Sequence, residues 1–299
     1  MKAIDRLPQA ARGGVYMLLS TLVFGVLWVL IRLISDDMPP HLIVFWRTLF
    51  GLAVMAPALL RSGQALLRTR KVNLHLLRAT TGLFAMYTTF YAVATAPLAD
   101  VVAISYATPL FVTLTAVLFL NEVIRTRRIA ALAVGIAGML IVMRPGFREL
   151  GPGHLAALAA ALFTAGSLTV IKLLSATDST EAIVGYPFLI ALPVTFVIAL
   201  FFWQWPTGFE LLTLVAIGAL ANLGQTFMAR SFAAADVTAV LPIDLVRLVL
   251  AAGFGYALFG EGLDWQTVVG ATVILVSTVY LAHREARAGR VPPPGPPQH

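Results

Sequence analysis

Residues 13–34 read GGVYMLLSTLVFGVLWVLIRLI. Arg32 is the only charged residue in the run, and Ser20 and Thr21 are small. No polar stripe recurs at helical spacing, as it would on the amphipathic helix of a globular protein. About 20 apolar residues carry one helix across the hydrocarbon core of a bilayer. The run lacks the basic, apolar and small-residue layout of a removable signal peptide, so it reads as a retained span. Working outward, the same pattern recurs at 41–60, 76–96, 99–120, 128–143, 153–174, 182–203, 209–230, 237–259 and 265–282. The fifth segment is short and closed by Arg128 and Arg144, whose long stems can reach the headgroups.

The composition agrees. Hydrophobic residues make up 59% of the 299 and charged residues 12%, with a mean hydropathy of +0.88. A soluble domain is about a quarter charged. So few charges cannot coat a globule in water, which argues against a soluble enzyme or a nucleic-acid binder. The expected fold class is an all-α integral membrane protein with ten transmembrane helices. The absence of cysteine excludes disulfides, cysteine-held zinc and thiol nucleophiles.

Ten spans place both termini on one side. Assigning that side to the cytoplasm gives sixteen of the 21 Lys and Arg residues to inner segments. Three, Arg32, Arg144 and Arg148, fall outside, and Arg47 and Arg247 fall within spans. Cytoplasmic loops carry such an excess. The net charge of +7 therefore reads as an orientation signal for an inner-membrane protein, and so does the basic 61–71 loop.

The halves echo each other. Ile31-Arg32-Leu33-Ile34-Ser35 parallels Ile171-Lys172-Leu173-Leu174-Ser175, and Phe24 parallels Phe163. Ile43-Val44 parallels Ile183-Val184, Ala99-Asp100-Val101 parallels Ala235-Asp236-Val237, and Glu122 parallels Glu261. The offset stays near 139 throughout. Five spans per half means that the second half enters from the opposite face. Inverted repeats of this kind belong to alternating-access carriers, with the substrate near the midplane. The expected organisation is a first five-helix repeat at 1–149, an inverted second repeat at 150–285, and a disordered Pro-rich cytoplasmic tail at 286–299. Glu122 and Glu261 then occupy equivalent positions on opposite faces, where gates or helix caps would lie.

Several short pieces, taken in order, resemble a known family. They are Phe24-Gly25 in span 1, Pro40 followed by Arg47 in span 2, and the 96–100 junction. Pro109 stands thirteen residues before Glu122, and Gly260-Glu261 stands nine before Gly270. Over roughly 13–283 the chain resembles the drug/metabolite transporter superfamily of the EamA type, and is most similar to its YddG-type aromatic amino-acid exporters. The resemblance implies a cavity formed by spans 1–4 and 6–9, with spans 5 and 10 standing aside. One departure is visible. The family commonly has a proline thirteen residues before the second glutamate, where this chain has Leu248; Pro242, Asp244 and Arg247 lie nearby instead.

Ionisable groups inside a span are costly, so each needs a partner or a role. Asp244 and Arg247, three apart, can pair on one face. They read either as an internally neutralised lock or as a pair that meets the two charges of a zwitterion. Arg47 reads as a structural clamp or as a substrate contact. Asn222 and Gln225, three apart beside Gly218, suit a helix contact or a cavity wall. Tyr87 and Tyr91 lie mid-span, and Tyr106 precedes Pro109; with Trp46 they are candidate aromatic walls of a wet cavity. Pro109 removes the amide that would bond the Ser105 carbonyl and is expected to kink span 4, as Pro242 would kink span 9. Gly135-x-x-Gly138 and Ala252-Gly253-x-Gly255 suit close helix packing.

The five histidines lie at span ends or in the tail, without metal-ligand spacing. No phosphate-cradling loop is present, so neither a cofactor, a metal nor an ATPase subunit is implied. The leading reading is a secondary or facilitative transporter exporting small metabolites across the inner membrane by alternating access. The resemblance points to amino acids, aromatic and other apolar ones first. The substrate-binding candidates are Trp46, Arg47, Tyr87, Tyr91, Tyr106, Asn222, Gln225, Asp244 and Arg247; the gating candidates are Pro109, Glu122, Pro242 and Glu261. The partners expected are the small solute and the bilayer, with the chain a monomer. A permease for another metabolite or drug is the alternative. A membrane enzyme would need clustered acids, nucleophiles or ligands that this sequence does not assemble.

Overall fold

The apolar runs fold as helices because hydrocarbon offers no partner for backbone amides, and a helix satisfies them within its own segment. In the computed structural model these elements are α1 (Gln9–Ile34), α2 (Pro40–Ser62), α3 (Val72–Thr95), α4 (Leu98–Ser105), α5 (Thr108–Leu120) and α6 (Thr126–Met143). They continue as α7 (Pro152–Leu174), α8 (Thr180–Leu200), α9 (Gly208–Ala234), α10 (Val246–Phe259) and α11 (Trp265–Ala288). The structure describes residues 9–62, 69, 71–120, 126–144, 151–174, 178, 180–234, 243–244, 246–262 and 264–288. The gating candidates Glu122 and Pro242 lie outside the described residues. No strand occurs among the described residues.

Helix ends follow local chemistry. Pro40 and Pro152 open α2 and α7 at the position where a missing amide costs nothing. Thr207 and Glu210 form a capping box at α9: the Glu210 amide donates to Thr207 Oγ1 at 3.3 Å, and the Thr207 amide donates to Glu210 Oε2 at 2.6 Å. Arg144 closes α6 with a left-handed φ of 46°. The last helix runs to Ala288, three residues into the segment expected to be tail.

Four helical stretches among the described residues are long and apolar enough to cross a membrane: Arg12–Ile34, Pro40–Pro57, Pro152–Ile171 and Gly208–Met228. Shorter apolar helices accompany them. Large apolar side chains such as Phe84, Val249, Tyr256 and Val276 are left exposed around the bundle. In water that surface would drive association; in lipid it is the solvent-facing side.

Span 4 departs from expectation. Residues 99–120 were expected to form one helix kinked at Pro109. Instead the helix stops at Ser105, turns through Tyr106 and Ala107, and restarts at Thr108. The Leu110 and Phe111 amides both donate to the Ala107 carbonyl. Pro109 therefore sits in the first turn of a new helix, where amides have no intrahelical partner. Pro109 is accommodated as a helix start rather than as a kink.

The halves pack by exchange. α3 lies along α7 and α1 along α9; α2 packs on α8 and α9, and α8 also packs on α3; α6 packs on α11. Swapping the halves maps each of these pairings onto another or onto itself. Corresponding helices run antiparallel. Arg144, at the end of α6, bonds Asp264, just before α11 starts. A Cβ built on Gly138 would come within 2.9 Å of the Gly270 carbonyl, and one on Gly270 within 2.6 Å of the Gly138 carbonyl. On the second helices, Phe45 meets Phe196 at 5.5 Å while Gly51, further along α2, meets Phe188, earlier on α8. The Gly138 close approach was legible in sequence. Gly253 is not a packing residue, since a Cβ there would meet nothing within 4 Å.

Candidate functional site

Arg47 sits two turns into α2. Its Nη1 lies 2.7 Å from Met86 Sδ on α3, and its guanidinium stands over the Phe90 ring at 5.9 Å. No carboxylate among the described residues pairs with it. It borders a cavity of about 140 Å³ lined by Arg47, Thr48, Gly82, Met86, Pro187 and Phe188, with Ala79, Leu83 and Ala191. The wall comes from α2 and α3 of the first half and α8 of the second. Pro187 and Phe188 lie in a continuous helix that contains two prolines, Pro187 and Pro193. The cavity thus combines one cation with an apolar and aromatic surround. That arrangement suits an anionic group attached to an apolar body.

Asp244 and Arg247 do pair. Arg247 Nη2 lies 2.5 Å from Asp244 Oδ2, and Thr21 Oγ1 of α1 donates to Asp244 Oδ1 at 3.1 Å. The Arg247 guanidinium lies between two rings, Trp28 at 5.7 Å and Tyr106 at 5.5 Å. The Tyr106 hydroxyl donates to the Asp244 carbonyl at 2.7 Å. The bent segment of the first half, at Tyr106 and Ala107, is therefore tied to the short turn at 243–244 in the second. Thr21 and Trp28 escaped the sequence reading, because their role arises only when α1 meets α10.

The other expected residues disperse. Trp46 is buried among Phe45, Phe50 and Trp203, with a buried Nε1 that has no partner. Tyr87 is partly buried against the core, and its hydroxyl is buried without a partner. Asn222 donates to the Gly51 carbonyl at 3.2 Å and to the Gly218 carbonyl at 3.1 Å, which places it at the contact between α9 and α2. Gln225 is exposed, and Tyr91 is 41% exposed; neither lines the Arg47 cavity.

Glu261 occupies a closed corner. Its Oε1 lies 3.5 Å from Arg32 Nη2, and its Oε2 accepts from the Leu98 amide at 2.9 Å. Arg32 also donates to the Val93 carbonyl at 3.1 Å and to the Ala94 carbonyl, and stands over Phe259. The end of α1, the end of α3, the start of α4 and the segment after α10 are thereby joined at one end of the bundle. Glu261 reaches this position because its chain folds back on α10: its amide donates to the Gly255 carbonyl, and Gly260 takes a φ of 64°. A Cβ on Gly255 would lie 2.7 Å from Glu261 Oε2. Arg32 had been assigned only to the sparse outer charges; its link to Glu261 spans 229 positions and left no local signal.

Comparison with known proteins follows the same organisation. The model of the EamA-like transporter family matches residues 11–144 and again 151–282, one copy in each half. The chain is 29% identical to the S-adenosylmethionine uptake transporter of Rickettsia felis, over 90% of this chain and 96% of that one. It is 30% identical to the pseudopaline exporter CntI of Pseudomonas aeruginosa, over 90% and 95%. It is 28% identical to the riboflavin transporter of Rhizobium johnstonii, over 95% of both. A solved crystal structure aligns over 94% of this chain and 99% of its own with a TM-score of 0.60 at 22% identity, a likeness of fold. The two family matches, the exchanged packing of the halves and the apolar helices agree: the chain belongs to the EamA-like transporter family.

Proposed function

We propose that this transporter of small metabolites carries amino acids, aromatic and other apolar ones first, and exports them across the inner membrane by alternating access of its two halves. The observation that carries the reading is Arg47, a cation beside a cavity with no carboxylate of the described chain to neutralise it. A substrate carboxylate supplies that partner as a charge-assisted, two-pronged contact. Met86, Phe90 and Phe188 offer the apolar side chain its surround. The Asp244–Arg247 pair serves as a lock between the turn at Tyr106 and the start of α10, because both charges are already spent on each other.

Glu261 acts as the gate at the Arg32 end, and Glu122 takes the equivalent role at the other face. The turn before Pro109 gives the first half a jointed helix, and Pro242 is the hinge assigned to the second. Ten spans with both termini in the cytoplasm remain the topology of this reading.

The test is efflux from proteoliposomes loaded with labelled amino acids, nucleosides, riboflavin and S-adenosylmethionine. Amino-acid flux that saturates, and that an excess of unlabelled phenylalanine suppresses, is the expected result. Flux of riboflavin or S-adenosylmethionine without any amino-acid flux replaces the reading with a permease for those metabolites.

A further inference from the structure

Two buried His–Asp pairs stand at opposite ends of the α3 and α7 helix pair. His75, in the first turn of α3, places Nε2 2.7 Å from Oδ2 of Asp178, which follows the end of α7. His154, in the first turn of α7, places Nε2 3.1 Å from Oδ2 of Asp100, which follows the end of α3. The two helices run antiparallel, with Phe84 stacked on Phe163 midway and Thr95 against Gly153. Each pair therefore joins the start of one helix to the segment leaving the other.

The details match as well. A threonine hydroxyl donates to each carboxylate: Thr69 to Asp178 at 2.5 Å and Thr267 to Asp100 at 2.6 Å. Both imidazoles are buried, His75 at 0% exposure and His154 at 5%. In both rings Nδ1 is buried and has no partner. A neutral imidazole that donates from Nε2 keeps a lone pair on Nδ1. The vacancy on each ring is thus an acceptor for one proton.

We infer that these two pairs are proton-binding latches, each holding one end of the α3–α7 seam closed. The inference rests on the alternating-access reading above and assigns its two end contacts. Protonation turns a hydrogen bond between a neutral ring and a carboxylate into an ion pair, which is the stronger bond. Acid therefore tightens a latch, and the end facing the more acidic compartment is held shut. The proton enters while that end is open to water and is enclosed when it closes.

Among the described residues the charged and titratable neighbours are few. Around His75 stand Asp178, Lys71 at the start of the helix, Tyr186 of α8 with its ring 4.5 Å away, and Arg78 one turn on. Around His154 stands Asp100, and next to that stretch lies Glu261, which is paired with Arg32 and accepts from the Leu98 amide two residues before Asp100.

The chain has no cysteine, so single thiols report each end cleanly. Ala182→Cys lies beside Ile183 in the small apolar cluster with Leu174, under the His75 latch; Ala157→Cys lies one turn beyond His154. Maleimide labelling of the full-length purified protein is normalised to the rate in denaturant at each pH. His75→Phe is expected to raise labelling at position 182 several-fold and lower it at 157; His154→Phe is expected to do the reverse. His75→Gln and His154→Gln keep a donor to the carboxylate but cannot titrate. Each is expected to fold and to lose the acid-dependent difference in labelling at its own end. Labelling that moves in the same direction at both ends, or a pH difference that survives both glutamine substitutions, overturns the latches. Wild-type thiols that fail to respond reciprocally to substrate overturn alternating access itself. A reciprocal substrate response that both histidine variants leave intact overturns the latches alone.

Discussion

Arginine decides most at the scale of single residues, because each buried guanidinium must be answered. Arg247 is answered by Asp244 at 2.5 Å and by two rings. Asp244→Asn leaves its charge bare, and removing one partner of a buried pair costs about 3–5 kcal/mol. A lowered unfolding temperature is expected, partly restored by adding Arg247→Gln. Flux in the same variant should still respond to a pH gradient to the extent that the wild type does, as the proposed lock, rather than a coupling group, requires. Arg47 is the opposite case. Arg47→Met is expected to fold, because its nearest polar contact is a thioether. Losing a charged hydrogen bond worth about 1.5–3 kcal/mol weakens a carboxylate substrate roughly ten- to hundredfold. Binding of labelled phenylalanine to the purified variant checks this. Both arginines were legible in sequence as the two basic residues inside spans. Which of them was free was not, since Thr21, Trp28, Met86 and Phe90 are distant along the chain.

At the scale of elements, the fourth span carries the lesson. Hydropathy placed it at 99–120, and the run is mostly apolar, with Asp100 near its start. Hydropathy is blind to a two-residue turn made of apolar residues, so the break at Tyr106 and Ala107 gave no signal. Pro109 marked the region but not the form. The break is held by the Tyr106 hydroxyl on the Asp244 carbonyl, across the two halves. Tyr106→Phe is expected to cost about 1–3 kcal/mol, the penalty for a buried carbonyl left without its donor. Pro109→Ala should cost less than about 1 kcal/mol, because a first-turn amide has no intrahelical acceptor in either case. Thermal unfolding of both variants in one detergent ranks them; the reverse order would assign the break to the proline.

For the whole molecule, the seam between α6 and α11 tests how the halves are joined. Gly138 and Gly270 face each other's carbonyls with no room for a Cβ. Gly138→Leu forces those backbones apart and is expected to cost about 1–3 kcal/mol or more, as overpacking does. Gly253→Ala, in a helix and facing open space, is expected to gain up to about 1 kcal/mol. Thermal unfolding of the pair checks whether the close approach lies where the structure puts it. Sequence alone determined the class of solvent, the approximate place of the apolar helices and the duplication, but not the break inside 99–120 or the extension of the last helix to Ala288. The first three follow from composition, from runs of apolar residues and from a repeat offset, all of which are local or periodic along the chain. Only the tertiary structure decided which charges neutralise each other, which aromatic residues face a cavity and where the bundle is tied shut. Arg32 to Glu261, Asp100 to His154 and Tyr106 to Asp244 are contacts between segments far apart in sequence. A pairing of that kind is fixed by which faces of two helices meet, and hydropathy, which averages around the helix, does not record the face.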